Sequence, residues 1–215
     1  MPMGAGTPPR FGTDGVRGVA YTELTTDYVR LLGRAAARVL GANAVLVGRD
    51  PRESSPDFAR AVADGIADEG IDVIDVGVVP TPALAWMAAE RNVAAAMITA
   101  SHNPSSDNGV KFFAVGGTKL PDAVETRVEA ELTALSADGG IATVPAIRRG
   151  VISADSTAID GYCDHLVAMF ANAGLSGLRV VLDCANGAMS EVAPSVLERL
   201  GIDVVAFHAA PDGRN

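Results

Sequence analysis

The sequence predicts an α/β protein: a mixed, largely parallel sheet covered by helices, followed by an incomplete second α/β unit of the same type. Three observations lead there. Short unbroken apolar runs, such as Ala44-Val45-Leu46-Val47-Gly48 and Ala94 to Ala100, are the pattern of strands buried on both faces. Segments with apolar residues at three- and four-residue spacing lie between those runs, the alternation that right-handed β-α-β crossovers produce. The chain has 215 residues, 48% of them hydrophobic, enough for one large or two modest domains with a sizeable core.

Taken in order, Tyr28, Leu31, Leu32, Ala35, Ala36, Val39 and Leu40 fall on one helical face between Thr25 and Gly41, and Gly41 supplies a stop. Ala44 to Gly48 is the first central strand. Ser55 is an expected N-cap with Pro56 at the first helical position, and Phe58, Val62 and Ile66 line the helix that ends at Gly70. A strand from Ile71 to Val79 follows. Thr81-Pro82 repeats the cap-then-proline start of a helix through Glu90, and Ala94 to Ala100 is the next strand. Between Ser101 and Gly109 the pattern breaks. Pro104 cannot continue a central strand, and Asn108-Gly109 favours a tight turn with positive φ, so a loop is expected before a strand at Val110 to Ala114. Pro121 to Leu135 reads as a helix with i,i+4 charge pairs on a solvated face.

Periodicity fades from Ser136 through Asp138-Gly139-Gly140 to Arg148-Arg149-Gly150, as in a connection between domains. The expected division is residues 1–150 and 151–215. In the second unit Ile159 to Phe170 is helical, Leu178 to Cys184 and Ile202 to Phe207 are strands, and Asn186-Gly187 is a turn. Pro194 must kink or delay the helix between them. So few strands cannot bury their own apolar faces, and the second unit is expected to be cut short.

Composition excludes several classes. A formal net charge of −9 disfavours nucleic acid and anionic membranes, which are bound through an excess of Lys and Arg. No stretch approaches the roughly 18 apolar residues of a membrane span. The N-terminal residues lack the pattern of a signal or transit peptide, so the expected compartment is the cytoplasm. Cys163 and Cys184 have neither C-x-x-C spacing nor a His-rich partner cluster and read as two packed thiols. An anionic small substrate would have to be held by local groups.

The loop beginning at Ser101 is the chemically interesting place, because such sheets collect ligands beyond the carboxyl ends of their strands. A Ser-His hydrolase pair is disfavoured: Ser101 and His102 are neighbours, expected to point apart in an extended loop, and Gly-x-Ser-x-Gly is missing. Two readings remain, a loop serine satisfying local backbone groups and a phosphoryl carrier. A phosphoserine brings a charge of about −1.5 to −2 and needs cationic and amide partners. Phe11 to Gly18, FGTDGVRG, offers a guanidinium, Arg17, on a glycine-rich backbone that can approach an anion closely.

FGTDGVRG, GRDPRESS at Gly48 to Ser55, TASHNP at Thr99 to Pro104, DNGVKFF at Asp107 to Phe113 and DCANGA at Asp183 to Ala188 occur in an order that resembles the α-D-phosphohexomutase superfamily. The resemblance runs over essentially the entire chain and favours the aminosugar branch. It implies that the chain holds domain I, with the phosphoserine loop, and the start of domain II. Activity is then an intramolecular phosphotransfer, an isomerisation that interconverts glucosamine 6-phosphate and glucosamine 1-phosphate through a 1,6-bisphosphate. The partner implied is a phosphorylated hexosamine, feeding cell-wall (peptidoglycan) precursor synthesis, and the complete protein is a candidate homo-oligomer.

Residue by residue, Ser101 matches the phosphorylated serine, and Arg17 matches an arginine beside it whose fork of donors suits phosphate oxygens. Lys111 matches a lysine in the catalytic loop region and is a candidate for proton transfer to or from the sugar hydroxyl, against the plainer reading of a solvated strand-end charge. His102 and Asn103 match loop positions. For His102 a structural hydrogen bond and a catalytic role both stay open, and Asn103 is a substrate-binding candidate. Arg49 and Asp50 are expected to form an ion pair that holds the fold. Magnesium (Mg2+) is implied, bridged by the phosphate on Ser101.

Three features depart from the family pattern. The metal loop Asp-x-Asp-x-Asp-Arg does not occur, and Asp72 and Asp75 have neither its spacing nor its arginine. The sugar-recognition loop and the C-terminal phosphate loop are missing too, and all three are expected beyond Asn215. Thr99 stands where the aminosugar branch usually has Ser, which keeps the phosphomannomutase/phosphoglucomutase branch as the enzymatic rival. A non-catalytic phosphosugar-binding or assembly fragment is the rival from another class.

Overall fold

A computed structural model describes residues 9, 11–12, 15–137 and 149–215 of the chain. Its main element is a seven-stranded sheet in the order β1-β2-β6-β5-β3-β4-β7. These strands are β1 (Phe11–Gly12), β2 (Gly15–Val19), β3 (Ala44–Arg49), β4 (Asp72–Val78), β5 (Ala94–Ile98), β6 (Asp107–Phe113) and β7 (Ile152–Ala154). β3 is parallel to β4 and β5, and β7 is parallel to β4, while β6 is antiparallel to both β5 and β2. Following these pairings across the sheet, β2, β3, β4, β5 and β7 all run the same way. The sheet is thus mixed and largely parallel.

Helices cover both faces. On one side α1 (Thr26–Leu40), α2 (Ser55–Asp68) and α4 (Asp122–Ala137) bury Val29, Leu32, Phe58, Val62, Ile66 and Val128 against Val45, Val47 and Phe112. On the other, α3 (Thr81–Arg91) and α5 (Ala158–Phe170) press Leu84, Met87 and Tyr162 onto Leu46, Met97 and Phe113. β3 carries Val45, Leu46 and Val47 with no exposure because both faces are covered, which is why its sequence shows a continuous run rather than an alternation. α1 begins where the Thr25 side chain accepts the Tyr28 N–H at 3.2 Å and stops at Gly41, whose φ of 62° suits a residue without Cβ.

Several local expectations are corrected. Ser55 and Thr81 are the first residues of their helices rather than caps, the boundary residues being Ser54 and Pro80. The Ser55 hydroxyl is taken by Asp50 instead, to which it donates at 2.6 Å. Asn108-Gly109 is not a turn: both residues sit inside β6, with Gly109 opposite Arg17, and Gly109 lacks a positive φ. Its glycine is needed for closeness, since a Cβ there would lie 2.7 Å from the Val16 carbonyl oxygen and 2.8 Å from that of Thr99. β7, three residues with two of them exposed, carries no pattern that would mark it as a strand.

The second unit holds α5, β8 (Arg179–Asp183), α6 (Val192–Arg199) and β9 (Asp203–Phe207), with β8 and β9 parallel in a two-stranded sheet. Pro194 is the third residue of α6, where its missing N–H has no intrahelical partner to lose, so the helix accommodates it in the first turn. Val181, Val205 and Phe207 of this sheet are exposed. Residues 138–148, most of the expected connection, lie outside the described residues. The division after residue 150 stays a proposal; β7 carries the seven-stranded sheet as far as Ala154.

α1 and α2 cross in backbone contact. A Cβ on Gly65 would meet the Arg30 carbonyl oxygen at 2.1 Å, and one on Gly33 would meet that of Val62 at 2.6 Å. Asp68 and Glu69 then receive Arg30 at 2.6 Å and Arg34 at 2.7 Å across the same seam. Gly65→Ala should therefore lose about 1–3 kcal/mol by forcing the helices apart, despite the better helix propensity of Ala. Gly161→Ala in α5, where the nearest atom is Trp86 at 3.6 Å, should gain about 0.5–1 kcal/mol. Urea denaturation of both variants checks the opposite signs.

Candidate active site

Adjacent parallel strands deliver the site. β5 ends at Ile98 and β3 at Arg49, so the residues that follow, Thr99 to Ser101 and Asp50, leave the sheet side by side, tied by the Asp50 N–H to the Ile98 carbonyl at 2.9 Å. Ser101 then turns the chain with φ 57°, the left-handed region that L residues seldom occupy. Its N–H donates to Thr99 Oγ1 at 2.9 Å, and Thr99 Oγ1 donates in turn to Asp50 Oδ2 at 2.7 Å.

Asp50 is nearly enclosed, its side chain 11% exposed, and four hydrogen bonds satisfy it. Oδ1 accepts from the Arg52 N–H at 3.1 Å and Ser55 Oγ at 2.6 Å, and Oδ2 from Arg52 Nε at 3.0 Å and Thr99 Oγ1. The expected ion pair of Asp50 is thus made with Arg52, not Arg49. An aspartate that accepts the N–H two residues on forms an Asx turn, which brings the Arg52 guanidinium back over the Asp50 carboxylate. Behind this group lies Asn108, fully buried. It donates to Ser54 Oγ at 2.8 Å and Ser55 Oγ at 3.0 Å and accepts from the Gly109 N–H at 2.8 Å.

Of the residues singled out in the sequence, Arg17 and Asn103 meet: Arg17 Nη1 donates to Asn103 Oδ1 at 3.1 Å, and Asn103 Nδ2 to Asp107 Oδ2 at 3.0 Å. Thr13 and Asp14 of the glycine-rich segment lie outside the described residues. His102 is exposed, with Nδ1 3.5 Å from Ser101 Oγ, a contact too long for a strong hydrogen bond. The neighbours do not point apart as an extended loop would require, because the chain turns at Ser101. Lys111 lies in β6 opposite Met97, with Nζ 5.6 Å from the Phe113 ring centroid. Cross-strand partners share a face, so Lys111 projects on the side of Met97.

Ser101, His102, Asn103 and Met97 border a cavity of about 670 Å³. Its far wall belongs to the second unit, where Ala185 and Asn186 turn the chain with φ of 48° each after β8. The Ala185 N–H, at 2.9 Å, and His208 Nδ1, at 3.0 Å, hold the Asp183 carboxyl below its ordinary pKa. Gly213 to Asn215 close one end: the Gly213 carbonyl accepts the Glu53 N–H at 3.1 Å, and Arg214 Nε donates to Glu53 Oε2 at 2.8 Å. That pairing lowers the Glu53 pKa. Arg17 and Lys111 are not among the residues that border the cavity. Among the described residues no three or more His, Cys, Asp or Glu side chains gather as a metal site.

The family model for phosphoglucomutase/phosphomannomutase, alpha/beta/alpha domain I, matches residues 8–138, more than half of the chain. The chain belongs to this family. Within the phosphoglucomutase/phosphomannomutase family, phosphoglucosamine mutase of Bifidobacterium animalis subsp. lactis is 47% identical over 222 residues, covering 97% of this chain and 48% of that protein. Phosphoglucosamine mutase of Corynebacterium jeikeium is 46% identical over 214 residues, covering 95% and 47%. The crystal structure of a phosphoglucomutase/phosphomannomutase family protein from Burkholderia thailandensis superposes with a TM-score of 0.74 at 29% identity, covering 93% of this chain and 43% of that one. A second structure, from Thermus thermophilus, gives a TM-score of 0.80 at 30% identity over 97% of this chain and 47% of that one. The chain spans about half the length of the curated relatives it matches.

Sequence reasoning missed Arg52 and Asn108. Asp50-Pro51-Arg52 does carry an Asx-turn signal that could have pointed to Arg52. Asn108 had none, since Asn before Gly reads as a turn. Asn108→Ala would take the donor from Ser54 Oγ and the acceptor from the Gly109 N–H in the interior, while Ser55 Oγ keeps its bond to Asp50, and should cost about 2–3 kcal/mol, read from the denaturation midpoint at unchanged slope.

Proposed function

We propose that this chain is the phosphoryl-carrying portion of a phosphoglucosamine mutase, with Ser101 as the carrier. One observation supports it above the others: Ser101 stands past the carboxyl end of β5, in a left-handed conformation, on the rim of a cavity large enough for a phosphosugar. Identity of 46–47% to phosphoglucosamine mutases over almost the whole chain supports the aminosugar substrate. A cytoplasmic location fits this reading, and among the described residues no helix is long and apolar enough to cross a membrane.

Chemically, the bond between phosphorus and Ser101 Oγ breaks as one forms to the 1-hydroxyl oxygen of glucosamine 6-phosphate, and the proton of that hydroxyl passes to a base. Ser101 Oγ regains a proton as it leaves. The resulting 1,6-bisphosphate turns over in the cavity and returns its 6-phosphoryl group to Ser101, leaving glucosamine 1-phosphate. Charge spreads over the three equatorial oxygens during each transfer, so positioning and cationic donors do most of the work. Arg17, held 3.1 Å from Asn103 on the serine loop, is the assigned donor. Lys111 is the assigned proton-transfer group, and His102 and Asn103 shape the loop and meet the sugar phosphate. A divalent cation, expected to be Mg2+, would neutralise phosphoryl oxygens when bound; the described residues offer it no ligand cluster beyond a phosphate on Ser101.

Thr99 favours a second reading, a phosphomannomutase/phosphoglucomutase. Assay of the full-length protein on glucosamine, glucose and mannose 6-phosphates separates them: turnover of the neutral sugars alone would reject the aminosugar assignment. Turnover of none, with tight phosphosugar binding, would favour a binding role. Intact mass after incubation with a hexose 1,6-bisphosphate should show one added phosphoryl group in the wild type and none in Ser101→Ala. Lys111→Ala should lower kcat by about 100-fold with little change in KM, because proton transfer belongs to the transition state. A change confined to KM would remove Lys111 from that role.

A further inference from the structure

Arg52 has no part in the mechanism above, yet it holds the serine loop at more points than any residue assigned to the chemistry. Its guanidinium lies beneath the loop with the side chain 11% exposed. Nη1 donates to the carbonyls of Pro104 at 2.5 Å and Asp107 at 3.0 Å, and Nη2 to those of Ser101 at 2.8 Å and Asn103 at 2.9 Å. Nε donates to Asp50 Oδ2 at 3.0 Å. A guanidinium has five N–H donors, so each of them has an acceptor here.

We infer that Arg52 is the positioning residue that holds Ser101 in its transfer-ready, left-handed conformation, by drawing four carbonyls of the loop onto one planar fork. The inference rests on the carrier role proposed for Ser101. The loop has no regular secondary structure, and an L residue at φ 57° persists only where its surroundings over-determine it. Here both peptide groups flanking Ser101 are fixed, its N–H by Thr99 Oγ1 and its carbonyl by Arg52 Nη2. Thr99 and Arg52 are themselves locked to the same carboxylate oxygen, Asp50 Oδ2, at 2.7 Å and 3.0 Å. The serine must present its oxygen to two ends of a sugar in turn, so a fixed Oγ trajectory is worth more than an extra substrate contact. A lysine would bring the charge without the geometry, because an ammonium is a point donor and cannot bridge four carbonyls spread along a turn. Arg52 also borders the cavity, so a direct phosphate contact is the competing role.

The test uses the full-length enzyme with glucosamine 6-phosphate as substrate and glucosamine 1,6-bisphosphate as phosphoryl donor. Arg52→Lys and Arg52→Gln should both lower kcat about 100-fold while KM stays near the wild-type value, and single-turnover phosphorylation of Ser101, followed by intact mass, should slow in step. Wild-type kcat in Arg52→Lys would overturn the inference, as would a loss seen only in KM, which would make Arg52 a phosphate ligand. If circular dichroism shows that neither variant folds, Thr99 probes the same frame: Thr99→Val should lower kcat and Thr99→Ser, which keeps the hydroxyl, should restore it. Equal rates in the two would overturn the inference. A wild-type enzyme that never gains a phosphoryl group on Ser101 would reject the proposed function itself, whereas a phosphorylated wild type beside a fully active Arg52→Lys rejects only the role of Arg52.

Discussion

The Asp50 carboxylate is the constraint around which the functional end of this molecule is arranged. A charged group almost withdrawn from water is tolerable only when its lone pairs are filled, and the four bonds it accepts come from three parts of the chain: its own turn, the start of α2 and the exit of β5. Those bonds decide where a helix begins, where a strand stops and how the loop after it must bend. Because the partners of Asp50 are themselves polar and enclosed, each needs the carboxylate as much as it needs them. The group holds together as a unit or not at all.

Packing of α2, which begins at Ser55, sets the platform for that unit. Gly33 and Gly65 let α1 and α2 approach to backbone contact, which fixes α2 and, through Ser54 and Ser55, the depth of the turn that carries Arg52. Gly109 does the same for β6, allowing the Val16 and Thr99 carbonyls to crowd the strand. Removing side chains in these places brings polar backbone together. Rigidity at the base permits an irregular, strained loop at the rim.

Charge is distributed in the same spirit. The chain carries a net charge of −9, and several of its acidic side chains are engaged away from the serine loop: Asp68 and Glu69 meet Arg30, Arg34 and Arg38 across the α1–α2 seam, and Asp64 and Asp68 meet Arg149. At the cavity, Asp50 is neutralised by Arg52, and Arg17 reaches the loop through Asn103. Across the cavity the segment Gly213 to Asn215 rests on Glu53, the residue after Arg52, so the two walls share a backbone contact.

What the residues alone determined was the alternation of strands and helices and the Ser101 loop at a strand end, because apolar periodicity and short polar strings are local properties of the chain; that Arg17 stands beside the loop was implied by the family resemblance of FGTDGVRG and TASHNP. Asn103 was singled out by the same resemblance. Arg52, Asn108 and the role of Gly109 were not, since a side chain's partners are set by which strands lie next to each other, and the turn after β3 is brought to the β5–β6 loop from some 50 residues away. Asn-Gly looked like a turn and became a strand because the space left by Val16 and Thr99 admits no Cβ. Ser101 looked like a residue in an extended loop and adopted φ 57° because groups distant in sequence hold both of its flanking peptides. Local sequence specifies which conformations are cheap; only the assembled sheet can make an expensive one stay.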